Sequence, residues 1–266
     1  MKSWKGRCVL VTGGTTGIGY EMARCLAGLG ADLVVVARSA PRLAEMKKQF
    51  EREFGVIVRV IEKDLSQKGA VEEVYRDVQK SPSKIEALVN NAGFGGWGKF
   101  SETDLTTELE MIQLNVTALT HLTKLFVKDM VRAGRGRILN VASTAGFQPG
   151  PLMAVYYATK AYVLSFSEAL SEELRGTGVT VTALCPGPTR TEFGKRSGMG
   201  KTHLFSGPLV MSAADVAREG VRAMEKGSAL IVPGLTNKAM TFSLRLSPRS
   251  LVRRLVHGIQ QKRQNT

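Results

Sequence analysis

Two adjacent tyrosines and a lysine lie close together as Tyr156, Tyr157 and Lys160, in the stretch AVYYATKAYVLSFSEAL. Residues three or four apart share one face of a helix, so either phenol can lie beside the ammonium group. Free tyrosine titrates near pH 10, and a shift towards neutrality takes about 3 pKa units, or roughly 4 kcal/mol, which a neighbouring positive charge helps to supply. The spacing therefore predicts a phenol that exchanges a proton with an oxygen atom, and it leaves open which tyrosine does so.

A glycine cluster, VTGGTTGIGYEMA, follows an apolar run and precedes a stretch with helical spacing. Gly13, Gly17 and Gly19 have no side chains, which lets the backbone turn tightly and approach a pyrophosphate. The N-terminus of the following helix adds unpaired N–H groups and the positive end of its dipole. Because the flanking strand and helix are both present, the cluster predicts a dinucleotide site.

The spacing T-G-x-x-x-G-x-G and the motif Y-x-x-x-K resemble the short-chain dehydrogenase/reductase family over most of the chain, and in particular its bacterial ketoacyl-reductase-like members with basic tails. In that family Y-x-x-x-K selects Tyr156. A serine 13 residues before that tyrosine matches Ser143, whereas the offset to Tyr157 is 14. Lys160 and Asn115, the latter in LNVTA, match the remaining catalytic positions of the family.

The resemblance implies hydride transfer between a nicotinamide and a carbonyl or alcohol carbon. Tyr156 then donates or accepts the proton, and Ser143 hydrogen-bonds the developing alkoxide. Lys160 lowers the pKa of the phenol, and Asn115 helps to hold a water molecule near the lysine. The residues that the resemblance assigns to cofactor binding are Gly13, Thr15, Thr16, Gly17, Ile18, Gly19, Arg38, Ser39, Asp64, Leu65, Asn91, Ala92, Gly93, Tyr156, Lys160, Pro186, Gly187, Thr189 and Thr191.

The end of the second apolar run bears on which dinucleotide binds. An acidic residue there accepts a hydrogen bond from the ribose 2′-hydroxyl of NAD and repels the 2′-phosphate of NADP. The run instead has Ala37 at that position, followed by Arg38 and Ser39. A guanidinium pairs well with a phosphate, so the sequence favours NADP(H) over NAD(H). Thr16 departs from the pattern, because many NADP-preferring relatives carry a basic residue there, and a merely solvated arginine is the alternative.

These groups need a framework that places strand ends beside helix starts. Seven short apolar runs, RCVLVT, ADLVVVA, GVIVRVI, KIEALVN, GRILNVAS, GVTVTAL and SALIVP, alternate with stretches of helical spacing. Near-continuous apolar runs are typical of parallel strands that are covered on both faces. The sequence therefore predicts an α/β fold of the Rossmann type, a doubly wound, seven-stranded parallel sheet with helices on both faces.

We predict a single Rossmann-fold catalytic domain over residues 1–235. Within it, the irregular, glycine-containing stretch at about 188–212 is predicted to form a substrate flap, closing an apolar pocket with Phe193, Met199, Leu204 and Phe205. A long helix is predicted over residues 107–134, with an inward face made of Leu109, Ile112, Val116, Leu119 and Leu122.

The net charge of +14 is concentrated at the C-terminal end. No acidic residue follows Glu225, whereas eight lysines and arginines do. Residues 236–266 are predicted to form a basic amphipathic extension, with an apolar face of Leu251, Val252, Leu255, Val256 and Ile259. Such a helix can dock on its own fold or on a second subunit, or it can lie on an anionic membrane. No nucleic-acid-binding motif is present, so no nucleic-acid partner is expected.

The apolar run in MKSWKGRCVLVTGG is too short for a signal peptide, and no run reaches the roughly 18 residues that span a bilayer. Cys8, Cys25 and Cys185 lie far apart without CxxC spacing, as is typical of reduced thiols. We therefore expect a cytoplasmic protein, with peripheral contact at the inner membrane face as an option. The three histidines do not cluster in the sequence, and we expect no metal.

The hypothesis from the sequence is an NADP(H)-dependent oxidoreductase that forms a dimer or tetramer. Its substrate is the carbonyl or secondary alcohol of an apolar molecule, such as a 3-ketoacyl chain. Two alternatives stay open. One is an NAD-dependent enzyme of the same fold that oxidises alcohols. The other is a non-catalytic, dinucleotide-binding, membrane-associated protein, which would be expected to have a broken catalytic set.

Overall fold

The seven predicted runs form seven parallel strands of one sheet, which confirms the predicted fold class. The computed structural model describes residues 3–197 and 210–261. The strands of the main sheet are β1 (Cys8–Thr12), β2 (Asp32–Ala37), β3 (Val58–Glu62), β4 (Ile85–Asn90), β5 (Gly136–Val141), β6 (Val179–Leu184) and β9 (Leu230–Ile231). Two further short strands, β7 (Thr189–Arg190) and β8 (Met211–Ser212), pair with each other in parallel.

The strand order of the main sheet is β3-β2-β1-β4-β5-β6-β9, so β1 has β2 on one side and β4 on the other. The chain thus winds outwards in both directions from the β1–β4 pair. At such a point the connections leave on opposite faces and open a crevice beyond the carboxyl ends of the strands. The topology therefore predicts the place of a ligand before any side chain is considered.

Helices cover both faces of the sheet because the strands are apolar on both faces. Within β1, Val9 and Val11 belong to one core, whereas Leu10 between them belongs to the other. This alternation follows from the two-residue period of a strand. The helices are α1 (Gly17–Gly28), α2 (Ala40–Phe54), α3 (Ala70–Gln79), α4 (Leu105–Ile112), α5 (Leu119–Arg132), α6 (Ala154–Glu173), α7 (Phe193–Arg196), α8 (Ala213–Lys226), α9 (Leu235–Leu246) and α10 (Arg249–Gln261).

The long helix predicted over residues 107–134 is interrupted, and the inward face predicted for Leu109 and Ile112 is wrong. A π-helical stretch, Gln113–Ala118, joins α4 to α5. Its wider turn changes which residues face the core, so Asn115 is buried while Leu109 and Ile112 are 55% and 39% exposed. The other predicted inward residues are Leu119 and Leu122, which are buried, and Val116, which is half-buried.

The C-terminal extension forms α9 and α10, and α10 docks on its own fold. Every fourth residue on its inner side is buried, namely Val252, Val256 and Gln260. The neighbouring stripe is exposed and consists of Leu251, Leu255 and Ile259. The predicted apolar face is thus split into a buried stripe and an exposed stripe. In the described part of the chain, no helix combines the length and the apolar character needed to cross a membrane.

Candidate active site

A cavity of about 1010 Å³ lies at the carboxyl ends of the central strands, where the topology predicts a crevice. Nearly all of the predicted site residues line it, namely Gly13, Thr15, Thr16, Gly17, Ile18, Arg38, Ser39, Asp64, Leu65, Asn91, Ala92, Gly93, Ser143, Tyr156, Lys160, Pro186, Gly187, Thr189 and Thr191. Two predicted residues, Gly19 and Asn115, contact lining residues from behind instead. Residues that are far apart in sequence therefore meet at one site.

The turn between β1 and α1 depends on its glycines. Gly13 and Gly17 have φ angles of +65° and +57°, in the left-handed region where a side chain is strained. The helix α1 begins at Gly17, and Thr16 before it makes no side-chain capping hydrogen bond. The first turn also contains no acidic residue. A helix start without a side-chain cap or a carboxylate suits an anion such as a pyrophosphate.

Gly19 is required for space rather than for its backbone angle. A Cβ atom at this position would overlap the side-chain amide of Asn91 and the carbonyl oxygen of Gly13. Asn91 Nδ2 in turn donates to the carbonyls of Thr12 and Gly13, both at 3.0 Å. The loop after β4 is thereby tied to the glycine turn. The two loops form a cradle of backbone that additional side chains would fill, which fits a dinucleotide phosphate.

Arg38 lies at the end of β2, as predicted, and it is part of an ion pair that the sequence did not predict. Its Nη1 lies 3.6 Å from Oδ2 of Asp64, and the arginine side chain is 67% exposed. Arg42 forms a second pair, in which Nη1 lies 3.2 Å from Oε2 of Glu192. Exposed pairs of this kind contribute little free energy, so a phosphate can replace the carboxylate. The geometry therefore leaves a guanidinium available at this edge of the cavity.

Ser143, Tyr156 and Lys160 come together in the same cavity. Tyr156 and Lys160 lie one turn apart near the start of α6, and both are buried. Lys160 Nζ donates to the carbonyl of Val141 at 2.8 Å and lies 5.9 Å from the centre of the Tyr156 ring. Ser143 follows β5, where its hydroxyl donates to the carbonyl of Pro186 at 3.3 Å and lies close enough to the phenol to lower the pKa of Tyr156.

Burial controls the proton affinities of the tyrosine and the lysine. It lowers the pKa of the Lys160 ammonium to about 8. It raises the pKa of the Tyr156 phenol above its ordinary value, against the lowering effect of the Ser143 hydroxyl. The sequence predicted a phenol pKa lowered by the lysine, and the direction differs because desolvation of the phenolate outweighs the other effects. Near neutral pH the site therefore presents a protonated phenol beside an ammonium group.

Asn115 lies in the π-helical stretch and does not line the cavity. Its Nδ2 donates to the Phe94 carbonyl at 2.9 Å and to Thr159 Oγ1 at 3.1 Å, while its Oδ1 accepts from the Phe94 N–H at 3.1 Å. A Cβ atom on Gly93 would lie 2.9 Å from Asn115 Oδ1 and 3.7 Å from Lys160 Nζ. Asn115 thus fixes Gly93 and Phe94, and Gly93 lies between Asn115 and Lys160. Single π turns of this kind are frequent at functional sites.

Sequence analysis missed the C-terminal part of the cavity wall. The residues concerned are Met240 of α9 and Val256, Ile259 and Gln260 of α10. Their only sequence signal is the amphipathic spacing of α10, which predicts that one stripe is buried but not what it covers. Met153, in the loop before α6, also lines the cavity.

The predicted flap at about 188–212 is described only at its two ends. Phe193 lines the cavity as predicted, and its ring centre lies 5.4 Å from that of Tyr156. The pairing of β7 with β8 holds the two ends side by side. The other predicted pocket residues, Met199, Leu204 and Phe205, lie outside the described residues.

The three cysteines are free thiols, as predicted. Burial raises the pKa of Cys8 to about 11 and that of Cys185 to about 12, which keeps both thiols protonated. Within the ranges 3–197 and 210–261, no group of three or more histidine, cysteine, aspartate or glutamate side chains is placed to hold a metal ion.

Comparison with known sequences points to one family. Residues 7–201 match the family described as "short chain dehydrogenase". The very-long-chain 3-oxoacyl-CoA reductase of Rattus norvegicus is 34% identical over 197 residues, which cover 71% of this chain and 62% of that protein. The match therefore spans less than two thirds of the length of this relative.

Comparison with solved structures agrees. The short-chain dehydrogenase from Sphingobium yanoikuyae in complex with NADPH superimposes with a TM-score of 0.82 at 33% identity, covering 92% of this chain and 94% of that one. A short-chain dehydrogenase/reductase from Burkholderia phymatum in complex with NAD gives 0.81 at 26% identity, with coverage of 92% and 94%. Similar folds thus occur with either dinucleotide.

Proposed function

The chain belongs to the short-chain dehydrogenase family, and we propose that it is an NADP(H)-dependent oxidoreductase acting on a carbonyl or secondary alcohol carbon of an apolar substrate. The observation that carries the proposal is the meeting of the Ser143 hydroxyl, the Tyr156 phenol and the Lys160 ammonium in the cavity that the glycine turn also lines. A relative that is named as a 3-oxoacyl-CoA reductase supports a 3-ketoacyl chain as the substrate class.

The dinucleotide would be held largely by backbone. The glycine turn and the start of α1 would bind the pyrophosphate, and Arg38 with Ser39 would bind a 2′-phosphate. Asp64 and Leu65 would border the adenine. The residues assigned to the nicotinamide end are Pro186, Gly187, Thr189 and Thr191. When it is bound, the nicotinamide supplies or takes up the hydride.

The side chains of the protein transfer the proton and stabilise the charges that develop during the reaction. The Tyr156 phenol, kept protonated by burial, donates to the substrate oxygen in the reductive direction. Ser143 hydrogen-bonds the same oxygen and stabilises the charge that develops on it. Lys160 places a positive charge beside the phenol and favours the phenolate left behind. We assign Asn115 a positioning role, because it fixes the segment next to Lys160 and so helps to hold a water molecule there.

Replacement of one tyrosine tests the proposal. We expect purified enzyme to oxidise NADPH in the presence of a panel of apolar ketones, including 3-ketoacyl thioesters. Tyr156→Phe should lower kcat by about 10²- to 10⁴-fold, the range of general acid catalysis. The matched control is Tyr162→Phe, six residues further along the same helix, where the side chain is partly exposed and hydrogen-bonds Thr120. Equal turnover by both variants would contradict the proposal.

The alternatives are separated by the same assay. An alcohol-oxidising enzyme would reduce NAD with secondary alcohols faster than it oxidises NADPH with the matching ketones. A non-catalytic protein would bind a dinucleotide without turnover. The arrangement of Ser143, Tyr156 and Lys160 favours an active enzyme, because a protein without catalysis has no need of a buried lysine beside a buried phenol.

We further propose that the chain forms a homo-oligomer. Leu105, Leu109 and Ile112 share one exposed face of α4. Contiguous exposed apolar residues are uncommon on monomers, and a second copy of the chain would cover them. Sedimentation velocity should give a dimer or tetramer. Leu109→Lys should lower the measured mass, whereas Ile57→Lys, at an exposed isoleucine on another part of the surface, should not.

Peripheral membrane contact is the last element of the proposal. The exposed stripe of Leu251, Leu255 and Ile259 has Arg254 beside it on the side away from the fold, and no acidic residue follows Glu225. Each arginine near an anionic surface contributes about 1 kcal/mol. Arg254→Gln should therefore weaken binding to phosphatidylserine vesicles about fivefold. Absence of vesicle binding by the unsubstituted protein would contradict the membrane contact and leave the rest of the proposed function untouched.

A further inference from the structure

The helix α10 forms part of the wall around the candidate substrate site. Val256, Ile259 and Gln260 of α10 line the same cavity as Tyr156. The segment that carries them begins some 90 residues after Tyr156, at Arg249. A helix that only covered an unrelated surface would not reach this cavity. The helix α10 is therefore a direct part of the cavity wall.

Gln260 fixes the position of α10. Its side chain is 1% exposed, and its Nε2 donates to the hydroxyl of Tyr157 at 3.1 Å and lies 3.6 Å from Sδ of Met153. A buried amide is costly unless it is paired, so the helix is held where these partners are reached. Both partners line the cavity. The contact therefore joins α10 to the wall next to the reactive phenol.

Tyr157 occupies its place because the neighbouring loop leaves room for it. A Cβ atom on Gly150 would overlap the Tyr157 ring. Two residues later, Leu152 has a φ of +66°, and its carbonyl accepts from the N–H of Gly98 at 2.9 Å. A leucine in the left-handed region costs free energy and persists only where its surroundings fix it. The loop is thus shaped around the tyrosine.

The contacts continue from Tyr157 to the proton donor. The rings of Tyr157 and Tyr156 meet edge to face, with centres 6.0 Å apart. Three residues, Gln260, Tyr157 and Tyr156, thus connect the end of the chain with the reacting phenol. The other side chains that α10 turns towards the cavity, Val256 and Ile259, are apolar. The wall on this side therefore combines apolar side chains with one buried hydrogen bond, and it contacts the ring of the proton donor.

We propose that the Gln260–Tyr157 pair is a specificity determinant, which limits the bulk of the substrate group that faces α10. The inference rests on the proposed function and deepens it. While the pair is intact, Gln260 and Tyr157 close the cavity at this point. A larger substituent can enter only if the pair opens. Loss of the Gln260 side chain leaves free volume beside Tyr157 in the wall, and the site then accepts bulkier ketones.

The test compares two adjacent glutamines. Gln260→Ala and the control Gln261→Ala, an exposed neighbour, are assayed with NADPH and methyl ketones of rising bulk. We expect Gln260→Ala to raise the ratio of kcat/KM for the bulkiest over the smallest ketone by about tenfold, mainly through KM. Gln261→Ala should keep the parent ratio. A uniform loss across the series would show a purely structural role and would overturn the proposal.

A second variant keeps the aromatic ring and removes the hydroxyl that accepts from Gln260. Tyr157→Phe should shift the ratio in the same direction, and adding it to Gln260→Ala should produce little further change, since both remove the same hydrogen bond. Full additivity of the two changes in ratio would contradict a shared role. This variant also covers the case in which Gln260→Ala does not fold.

Failure of the proposed function gives a different result. A parent enzyme that reduces no ketone with either dinucleotide contradicts that function. Amide hydrogen exchange then tests whether the Gln260–Tyr157 contact holds the wall in place. The Tyr157 N–H donates to the Met153 carbonyl at 3.0 Å in the first turn of α6. Gln260→Ala should speed exchange there relative to Gln261→Ala. Equal exchange in both variants would overturn the inference without any assay of turnover.

Discussion

The two ends of the cavity are formed by different kinds of group, backbone at one end and side chains at the other. The end assigned to the adenosine and the pyrophosphate of the dinucleotide is made mainly of the turns that follow β1, β2, β3 and β4, within residues 13–93. The end assigned to the substrate is made of side chains from α6, α7, α9 and α10 and from the loop before α6. Local sequence patterns predict the turns of the first end, whereas the side chains of the second end come from segments that no local pattern connects.

This difference explains which properties of the protein can change when residues at each end are substituted. A backbone cradle recognises the parts that all dinucleotides share. Its crowded glycines cannot be replaced by residues with a side chain, because a Cβ atom would overlap neighbouring atoms. A side-chain wall changes shape with every substitution that preserves packing. We therefore expect substitutions at the first end to affect cofactor binding for every substrate. Substitutions at the second end should change the choice of substrate and leave the cofactor alone.

The largest expected effect is at Gly19. A Cβ atom there meets both the Asn91 amide and the Gly13 carbonyl, so Gly19→Ala has to displace backbone as well as a side chain. Such overpacking costs about 3 kcal/mol or more, and NADPH affinity should fall about 200-fold or further. The control is Gly28→Ala in the same helix, where the added Cβ lies 3.6 Å from Phe54. Fluorescence titration with NADPH measures both.

An unchanged NADPH affinity in Gly19→Ala would contradict the role assigned to the backbone cradle in binding the dinucleotide. The control should bind normally, since alanine at Gly28 adds an ordinary van der Waals contact and favours the helix. A fall in affinity for both variants would indicate that α1 as a whole is sensitive, rather than the crowded position alone.

Gly150 is the corresponding glycine at the substrate end. Gly150→Ala places a Cβ on the Tyr157 ring, which has to move, at a cost of about 1 to 3 kcal/mol. Turnover of the best ketone should fall about 5- to 150-fold while NADPH affinity stays the same. The second substitution Tyr157→Ser removes the overlap and should restore part of the turnover. No recovery in the double variant would show that the loss has another cause.

The same contrast decides what could be predicted from the sequence. The strands, the glycine turn and the Ser143–Tyr156–Lys160 set follow from local patterns and a family motif, and the structure brings these residues to one cavity. The Gln260–Tyr157 contact joins residues 103 positions apart, and no local pattern encodes it. The π-helical stretch around Asn115 was missed for a related reason, because the apolar spacing fits an uninterrupted helix equally well.

Arg38 sharpens the comparison, because it is the side chain on which the nucleotide preference is argued to depend. Arg38→Ala should raise the KM for NADPH about 10- to 100-fold, from the loss of a charge-assisted hydrogen bond worth about 1.5 to 3 kcal/mol. The KM for NADH should change little, since NADH has no 2′-phosphate. Arg52→Ala, an exposed arginine on α2, is the control. Equal changes for both dinucleotides would contradict the preference.

The smallest expected effect concerns pH and the lysine between the two ends. Burial lowers the pKa of Lys160 to about 8, so its ammonium is intact below that pH and is lost as the pH rises further. The pKa of Tyr156 is raised, so the phenol keeps its proton over the same range. The kcat/KM for ketone reduction should therefore be level below pH 8 and fall about tenfold per pH unit above it. Lys160→Met should be slower throughout and lack this decline. A parent profile that stays level to pH 10, or the same decline in the variant, would assign the ionisation to another group.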